Sequence, residues 1–445
     1  MKGPVRYSTL PVIVAGVLLT LLGGALSVRS PTLVDSLEGK VYDSFLRSAP
    51  RHTVSGPITI VDLDEASLER LGQWPWPRYR IARLLDRIRE GGATAVGLDM
   101  VFAEPDRMSL APLSGEILRD LGMRIDLAGF PGDALDTDRA LAATLAGGPF
   151  VLGYQFDFET ARGNGCVLHP LRAAVLSGTG AGGADGLYNA RGVVCNLPAL
   201  SKAAGSSGFI NAAPDPDGVL RRVPLVIRHN GALYPNLALA LYLMARGGDA
   251  VLETGPEGAE AMRLDGRRIP LDHHGNVLVN FRGPHRTFAH LSAVTVLDGT
   301  AGKTRLDGRI VLLGTTATGL MDMRTTPLEP VQPGVEIHAN VLDNLLSGDP
   351  IAEPRWARVA RVLLVLIPGF LLTGLLARSS AAWGLALIAP SAAGIWLGSW
   401  GLLAYRQVFL PPLLPVVTLA VVFTVLASMR YLQADRQVRE RTRKL

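Results

Sequence analysis

The sequence predicts a mixed α/β domain, a sheet with flanking helices, joined to four transmembrane α-helices. Four apolar stretches, 9–28, 359–376, 381–403 and 413–429, carry no charged residue except Arg361. Each is long enough to cross a hydrocarbon core of about 30 Å as a helix. Between the first two stretches, short β-branched runs alternate with segments of helical period. This middle segment is therefore expected to fold around a core of its own.

Basic residues beside the apolar stretches predict the orientation. They occur in the tail 1–8, at Arg378 in a short loop, and in residues 430–445, which hold much of the formal net charge of +5. Because such residues concentrate on the cytoplasmic side, residues 29–354 are expected outside the cytoplasm, in a multi-pass protein of the inner membrane. The first stretch is too long for a signal peptide, so we expect an uncleaved anchor. A charge concentrated in the tail suits a lipid bilayer and does not indicate nucleic-acid binding.

The order of the signals within 29–354 predicts the individual elements. Strands are predicted from buried β-branched runs, and helices from apolar residues recurring every three or four positions. The predicted helices are 31–47, 67–71, 80–90, 138–146, 234–244 and 335–346; the predicted strands are 58–63, 93–102, 150–156 and 309–314; antiparallel turns are predicted within 219–228 and 262–281. Residues 163–186, rich in Gly and Ala, are predicted to form a long loop. Strand, helix and strand over 58–102 predict a parallel crossover.

Acidic residues follow the first two predicted strands. Asp62 and Asp64 end the first strand, and Asp99, Glu104 and Asp106 follow the second. Ligands of parallel α/β sheets gather at the carboxyl ends of the strands, so these acids predict a crevice for a divalent cation such as Mg²⁺ or Ca²⁺, or for a basic ligand. In the alternative, Asp64 caps the next helix and Asp99 bonds local backbone. An aspartyl-nucleophile phosphatase also begins with Asp-x-Asp, but no lysine in a companion motif supports that enzyme.

The stretch GQWPWPR, residues 72–78, holds two of the six tryptophans. Its prolines fix φ and favour extended geometry at Trp74 and Trp76, which predicts a stiff aromatic elbow. The two indoles either pack in the core or line a ligand pocket. In the second case Arg78 is available to an anion.

A later loop contains further candidates. After the strand 309–314, Asp322, Arg324 and Thr326 crowd a glycine-flanked loop, and His338 follows on the closing helix. The loop either binds an anion through hydroxyl and backbone N–H groups or bonds to itself, with His338 as a partner.

Cys166 and Cys195 are the only two cysteines of the chain. Both lie in the segment predicted outside the cytoplasm, where oxidation is permitted, so they are candidates for a disulfide. Neither has the neighbours of a nucleophile or of a metal site.

Four strings carry a resemblance to a known family. IVDLDEASLERLGQWPWPR, GGATAVGLDMVFAEPD, LLGTTATGLMDMRTTPL and PGVEIHANVLDNLLSGDP occur in this order, and the region 35–350 resembles the sensory domain called CHASE, type two. The resemblance implies an extracytoplasmic sensor of an unknown ligand, followed by three membrane spans. It also implies a cytoplasmic output domain, a class III adenylate or guanylate cyclase, a histidine kinase or a serine/threonine kinase.

The basic tail is expected to begin the connection to that output domain. Tyr431, Ala434, Val438, Arg441 and Leu445 follow a heptad spacing with one polar exception, but two heptads are too few to predict a coiled coil, and a solvated basic helix fits equally. The resemblance implies that a signalling helix begins here, and we expect the chain to act as a homodimer. The sequence contains no cyclase or kinase motif, so we expect no enzyme activity from these residues themselves.

Overall fold

The computed structural model describes residues 9–29, 31–54, 56–161, 165–177, 186–317 and 323–443. Its helices are α1 (Thr9–Arg29), α2 (Thr32–Ser48), α3 (Glu65–Leu71), α4 (Arg78–Glu90), α5 (Leu110–Leu121), α6 (Gly132–Leu135), α7 (Thr137–Ala146), α8 (Pro198–Ala203), α9 (Leu237–Arg246), α10 (Ala293–Leu297), α11 (Gly334–Ser347), α12 (Arg355–Arg378), α13 (Ala381–Arg406) and α14 (Leu413–Arg443).

The strands all lie between α2 and α11. They are β1 (Ile58–Asp62), β2 (Ala95–Leu98), β3 (Phe150–Asp157), β4 (Ala173–Ser177), β5 (Asn189–Ala190), β6 (Gly192–Val194), β7 (Ser206–Phe209), β8 (Arg222–Pro224), β9 (Val226–His229), β10 (Ala232–Pro235), β11 (Ala250–Gly255), β12 (Gly258–Leu264), β13 (Arg267–Pro270), β14 (Asn276–Leu278), β15 (Ala289–Ser292), β16 (Ile310–Gly314), β17 (Met323–Arg324) and β18 (Gln332–Pro333).

The chain divides into two compact units. The helical unit contains α1, α2 and α12 to α14, and the α/β unit comprises Arg51–Pro350. Among the described residues, four helices, α1, α12, α13 and α14, are long and apolar enough to cross a membrane. Because α14 has 31 residues, it is about 46 Å long. The predicted span 413–429 therefore continues as one helix into the basic segment.

Small residues allow close helix packing within the helical unit. A side chain at Gly16 of α1 would overlap Thr373 of α12, and one at Gly369 of α12 would overlap Thr20 of α1. The hydroxyls of Thr20 and Thr373 each donate to the carbonyl four residues earlier, at 2.7 and 2.8 Å. The threonines thus satisfy their own polar groups, and glycines at the crossing points bring the backbones together.

Helix α2 belongs to the helical unit, whereas the predicted boundaries placed it in the domain 29–354. Its aromatic side chains pack edge to face on the bundle, Tyr42 on Phe409 at 5.1 Å and Phe45 on Trp396 at 5.2 Å between ring centroids. The partners lie about 350 residues away along the chain, so the local sequence shows only that the helix is amphipathic.

Helix α2 also supplies a buried carboxylate to the helical unit. Glu38 Oε2 lies 3.3 Å from Arg361 Nη1, and Arg361 Nη2 donates to the carbonyl of Ser27. Burial raises the pKa of Glu38 to about 7, against the opposing effect of Arg361. Arg361, the only charged residue in the four predicted apolar stretches, therefore lies in a pair with Glu38.

The main sheet of the α/β unit has the order β15-β1-β16-β2-β3-β6, and β7 also pairs with β3. The pairs β15–β1, β1–β16, β16–β2, β2–β3 and β3–β7 are parallel. Strand β16 lies between the two strands of the predicted crossover, 58–63 and 93–102, so these strands are parallel but are not neighbours. Helices α4 and α7 and the buried side chains of the strands form one hydrophobic core.

Smaller sheets complete the α/β unit. Strand β4 lies inside the predicted loop 163–186 and pairs in parallel with β11. That prediction was wrong for residues 173–177, because the pairing partner is distant in sequence and leaves no local turn signal. Strands β9 and β10 form an antiparallel hairpin, and so do β12 and β13. The turn residues predicted within 262–281 include the turn between β12 and β13. Cys166 and Cys195 form a disulfide, with 5.9 Å between their Cα atoms.

Candidate functional site

A cleft of about 450 Å³ lies at the carboxyl ends of the parallel strands. Residues that follow or end β1, β16, β2, β3 and β7 contribute to its wall, which is the position where ligands of such sheets bind. The lining residues are Leu63, Trp74, Asp99, Met100, Gln155, Ile210, Asn211, Ala212, Thr315 and Arg324. The sequence predicted three of them as ligand-binding residues, Trp74, Asp99 and Arg324.

Asp99 is a largely buried carboxylate on the wall of the cleft. Its backbone N–H continues the sheet by donating to the carbonyl of Leu313 at 2.9 Å, which fixes the residue beyond the end of β2. The side chain is 7% exposed, and His338 Nε2 of α11 lies 3.7 Å from its Oδ1, longer than a hydrogen bond. His338 is 3% exposed, and its Nδ1 has no hydrogen-bond partner among the described residues.

The two tryptophans of the GQWPWPR stretch have different environments. Trp76 is 1% exposed in the hydrophobic core, and its indole N–H donates to the carbonyl of Gly72 at 2.8 Å. Trp74 packs only partly against that core and faces the cleft. The packing interpretation therefore holds for Trp76, and Trp74 lies in the wall of the cleft.

Arg78 holds the loop after β2 and does not line the cleft. Its backbone N–H donates to Asp106 at 2.7 Å, and its guanidinium donates to the carbonyl of Glu104 at 3.3 Å. The guanidinium also lies 4.5 Å above the ring of Phe102 and 3.4 Å from Asp138. The side chain of Glu104 is 77% exposed, so the acids predicted to converge after the second strand have separate environments.

Asp64 caps helix α3, as the alternative prediction had it. Its Oδ1 accepts from the N–H of Ser67 at 2.9 Å and from the hydroxyl of Ser292 at 2.8 Å. Thr326 bonds within its own segment, to the carbonyl of Glu329 and, at 3.0 Å, to Gln332. Asp322 lies outside the described residues. Among the residues that are described, no cluster of three or more His, Cys, Asp or Glu side chains has the geometry of a metal site.

A buried polar network adjoins the loop after β16. Asp62 accepts from the N–H and the hydroxyl of Thr316, at 3.0 and 2.6 Å, next to Thr315 in the cleft wall. His290 of β15 lies between two carboxylates: its Nδ1 is 3.5 Å from Asp62 Oδ2, and its Nε2 is 3.0 Å from Glu336 Oε1. The half-exposed His285 binds the same Glu336 oxygen at 2.7 Å.

The charges in this network stabilise one another. Burial alone would lower the pKa of His290, but Asp62 and Glu336 outweigh burial and raise it to about 9, so the ring is a cation at neutral pH. Burial likewise opposes the charge of Glu336. Hydrogen bonds from His290, from the N–H of Arg286 and from Gln332 nevertheless hold the pKa of Glu336 below its usual value.

The sequence did not point to His290 or His285. Both lie in a stretch that carries no motif, and His290 reaches the network only because β15 pairs in parallel with β1, with Ile60 opposite His290. Glu336 lies two residues before His338. It binds His290 only because the same pairing brings β15 to this position. The acids at the strand ends pointed to the sheet edge where the cleft and this network lie, but they did not point to the two histidines.

Four described helices of membrane-spanning length and an α/β unit with a cleft of small-molecule size define a membrane-protein class with a candidate ligand site. A family model for the CHASE2 domain matches residues 13–376. The chain therefore belongs to the CHASE2 domain family, and the match extends from α1 through most of α12. The search of curated proteins found no match, and the search of solved structures found none either.

Proposed function

We propose that the α/β unit detects an extracytoplasmic signal and that α14 passes the signal to a cytoplasmic output domain, a class III adenylate or guanylate cyclase. A histidine or serine/threonine kinase output is the second candidate. The chain is proposed to act as a homodimer in the inner membrane, with its α/β unit outside and its basic segment at the cytoplasmic face. The basic flanks support this orientation, and the family supports the sensory role.

The observation that carries the proposal is the path of α11 through the α/β unit. The first turns of this 14-residue helix hold Glu336, which hydrogen-bonds to His290, and His338, which lies 3.7 Å from the carboxylate of Asp99 in the cleft wall. Its last turns hold Asp343 and Asn344. At 1.5 Å per residue, the two ends of this path are about 10 Å apart.

Asp343 belongs to a buried group of hydrogen-bonded residues near both chain ends of the α/β unit. Arg282 Nε donates to Asp343 Oδ2 at 2.6 Å, and the Arg282 Nη atoms donate to Asp349 at 2.8 and 2.6 Å. Asp343 Oδ1 also accepts from the N–H of Gly56 at 2.7 Å. We refer to Arg282, Asp343, Asp349 and Gly56 as the exit clamp.

The exit clamp joins the two points where the chain enters and leaves the α/β unit. Gly56 precedes β1, and Asp349 directly precedes the boundary at Pro350. A shift of α11 in response to a ligand therefore acts on both connections at once. In the proposal, this is the route by which a ligand in the α/β unit reaches both α1 and α12.

The test is a signalling measurement in cells. The full chain is fused at Leu445 to a class III cyclase catalytic domain, and cyclic AMP is measured in a cyclase-deficient bacterium. Asp343→Asn, which breaks the exit clamp, is expected to change the output several-fold at equal membrane levels. Asp120→Asn, the same chemical change on the exposed surface of α5, is the matched control and should leave the output unchanged.

Equal cyclic AMP from the Asp343→Asn fusion and the unsubstituted fusion would contradict transmission through α11. Orientation is checked in the same cells by adding protease to spheroplasts, where residues 51–350 should be digested and the fused domain protected. The coding sequence downstream of Leu445 then distinguishes a cyclase output from a kinase output.

A further inference from the structure

Helix α5 of the α/β unit buries none of its own 12 residues. Its sequence nevertheless has an apolar face, with Leu110, Leu113, Ile117 and Leu121 three or four positions apart. Helix α4, of 13 residues, buries six. A helix as short as α5 is only marginally stable in water unless its apolar face packs against another surface. The described part of the chain covers that face only partly.

The exposed apolar side chains continue on both sides of α5. We refer to residues 107–130 as the α5 segment. Among the described residues of the α/β unit, twelve large hydrophobic side chains are exposed, and six of them lie in this segment, although it holds only 24 of the unit's 300 residues. The six are Met108, Leu118, Leu121, Met123, Ile125 and Phe130. Such a concentration is typical of an interaction surface.

Buried hydrogen bonds hold the α5 segment to α4 and α7. Asp106, directly before the segment, accepts from the backbone N–H of Arg78 at 2.7 Å, and its own N–H donates to Asp138 at 2.8 Å. Ser109 Oγ accepts from the N–H of Thr137 at 3.0 Å, which joins the beginning of the segment to the residues that follow it. The segment is therefore an anchored projection from the core of the α/β unit.

The charged residues of α5 lie away from its two exposed leucines. At 100° per residue, Glu116, Arg119 and Asp120 are each 100° or more from both Leu118 and Leu121. Arg119 and Asp120 are also paired with each other at 3.0 Å. A partner that covers the leucines therefore leaves this charged face in water.

The charge balance of the α5 segment indicates which partner covers it. The segment holds three arginines and three acidic residues: Arg107, Arg119 and Arg124, and Glu116, Asp120 and Asp126. Helices that lie on anionic lipid have polar faces rich in Lys and Arg, which α5 does not have. A segment without net charge also gives no steering toward a strongly charged partner. It does not repel a copy of itself.

A second copy of the chain also fits the size and position of the surface. Copies anchored in one membrane are held in the same orientation, so their α5 segments lie at the same height and can meet across a two-fold axis. The 24 residues of the segment match the roughly 20–30 residues that each side of a specific interface contributes. We infer that two copies of the chain pair through the α5 segment, with Leu118 and Leu121 among the contacts. This inference rests on the homodimer of the proposed function and names its surface.

Crosslinking of the full chain in membrane vesicles tests the surface. The single variants Leu118→Cys, Leu121→Cys and Ile125→Cys are treated with a short bismaleimide, which Cys166 and Cys195 do not attack because they form a disulfide. Val331→Cys, at a side chain that is 56% exposed outside the segment, is the matched control. At least one segment variant should crosslink at least about tenfold faster than the control, because pairing raises the local concentration of its thiol. Control rates at all three positions overturn the inference.

Energy transfer between donor-labelled and acceptor-labelled full chains in the same vesicles measures the pairing itself. The double variant Leu118→Glu, Leu121→Glu should pair at least about tenfold more weakly, because it places unpaired acids in the contact. Both side chains are exposed in the single chain, 45% and 69%, so the thermal unfolding midpoint should not change. Tyr79→Glu with Val331→Glu, at comparably exposed positions, should pair like the unsubstituted chain. Unchanged pairing of the leucine variant overturns the inference, and if that variant does not fold, the crosslinking rates decide.

Contact with the bilayer is the competing outcome. A bimane fluorophore attached to the Leu118→Cys variant is quenched by spin-labelled lipid if the segment lies in the bilayer. Quenching together with crosslinking at the control rate assigns the surface to lipid and overturns pairing through α5. No quenching together with fast crosslinking supports it.

The two proposals fail separately. A cyclase fusion that responds to Asp343→Asn, in a chain that pairs but crosslinks at the control rate, leaves the sensor proposal intact and rejects the α5 surface. Fast crosslinking by a chain whose fusion ignores Asp343→Asn leaves the α5 surface intact and rejects transmission through α11.

Discussion

Replacing Asp343 by Asn should destabilise the α/β unit by about 3 kcal/mol, because it leaves a buried guanidinium without one of its two carboxylates. Arg282 and Asp343 are both wholly buried, 2.6 Å apart. Removing one partner of a buried ion pair costs roughly 3–5 kcal/mol. The lower figure applies because Asp349, 24% exposed, still accepts two hydrogen bonds from Arg282. Gly56 and Arg282 both donate hydrogen bonds to Asp343. The amide N–H₂ of an asparagine would face one of these two donors and could not accept from it.

Thermal unfolding of the full chain in detergent, followed by tryptophan fluorescence at one fixed scan rate, measures this effect. A loss of about 3 kcal/mol lowers the midpoint by roughly 6 °C or more in a unit of this size. Asp120→Asn, which removes only an exposed ion pair, should shift the midpoint by about 1 °C or less. If the two variants unfold at the same temperature, the exit clamp contributes little, and the reasoning from burial and distance is refuted.

Two further predictions concern the pH and redox dependence of stability. The pKa of His290 is raised to about 9 in the folded chain from about 6.5 in the unfolded chain. Its contribution to stability is therefore fully present below about pH 6.5 and is lost as the pH rises through about 9. The unfolding midpoint should fall over this window and should fall less in the His290→Gln variant; an equal fall in that variant would contradict the assignment. The disulfide Cys166–Cys195 closes a loop with a sequence separation of 29. Replacing both cysteines by Ser should lower the free energy of unfolding by about 3.5 kcal/mol, measured as a lower urea midpoint. A reductant should lower the midpoint of the unsubstituted chain only; an equal effect on the double variant would show that it has another origin.

Local patterns in the sequence predicted the parts of the fold that depend on neighbouring residues. The helical period of 80–90 and the buried run 58–63 correspond to α4 and β1, each within two residues. The rule that ligands gather at the carboxyl ends of strands pointed to the sheet edge where the cleft lies, and one of the five predicted acids, Asp99, lines that cleft. These inferences needed only periodicity, turn residues and strand order.

The parts that could not be predicted depend on contacts between distant segments. Strand β16 inserts between β1 and β2, and β15 adds to the other side of β1; parallel pairing over such separations leaves no local turn signal. The placement of His290 between Asp62 and Glu336 follows from these pairings. The sequence also left it open whether Trp74 and Trp76 pack in the core or line a pocket. Periodicity does not say which side of a proline-rich elbow meets the core.

The hydrogen bonds of α11 give a physical reason why its movement should occur in steps. Residues 334–345 are all buried, and polar side chains four positions apart bind backbone N–H groups of the segment 280–286. Glu336 accepts from the N–H of Arg286, Asn340 from the N–H of Arg282, and Asn344 from the N–H of Asn280, each at 2.8 Å. A small slide along the helix axis lengthens all three bonds together, and in a close-packed interior no intermediate position restores them. The helix therefore either stays in register or moves with the segment 280–286 and the exit clamp as one body, and in the proposed function the second response is the one that carries the signal.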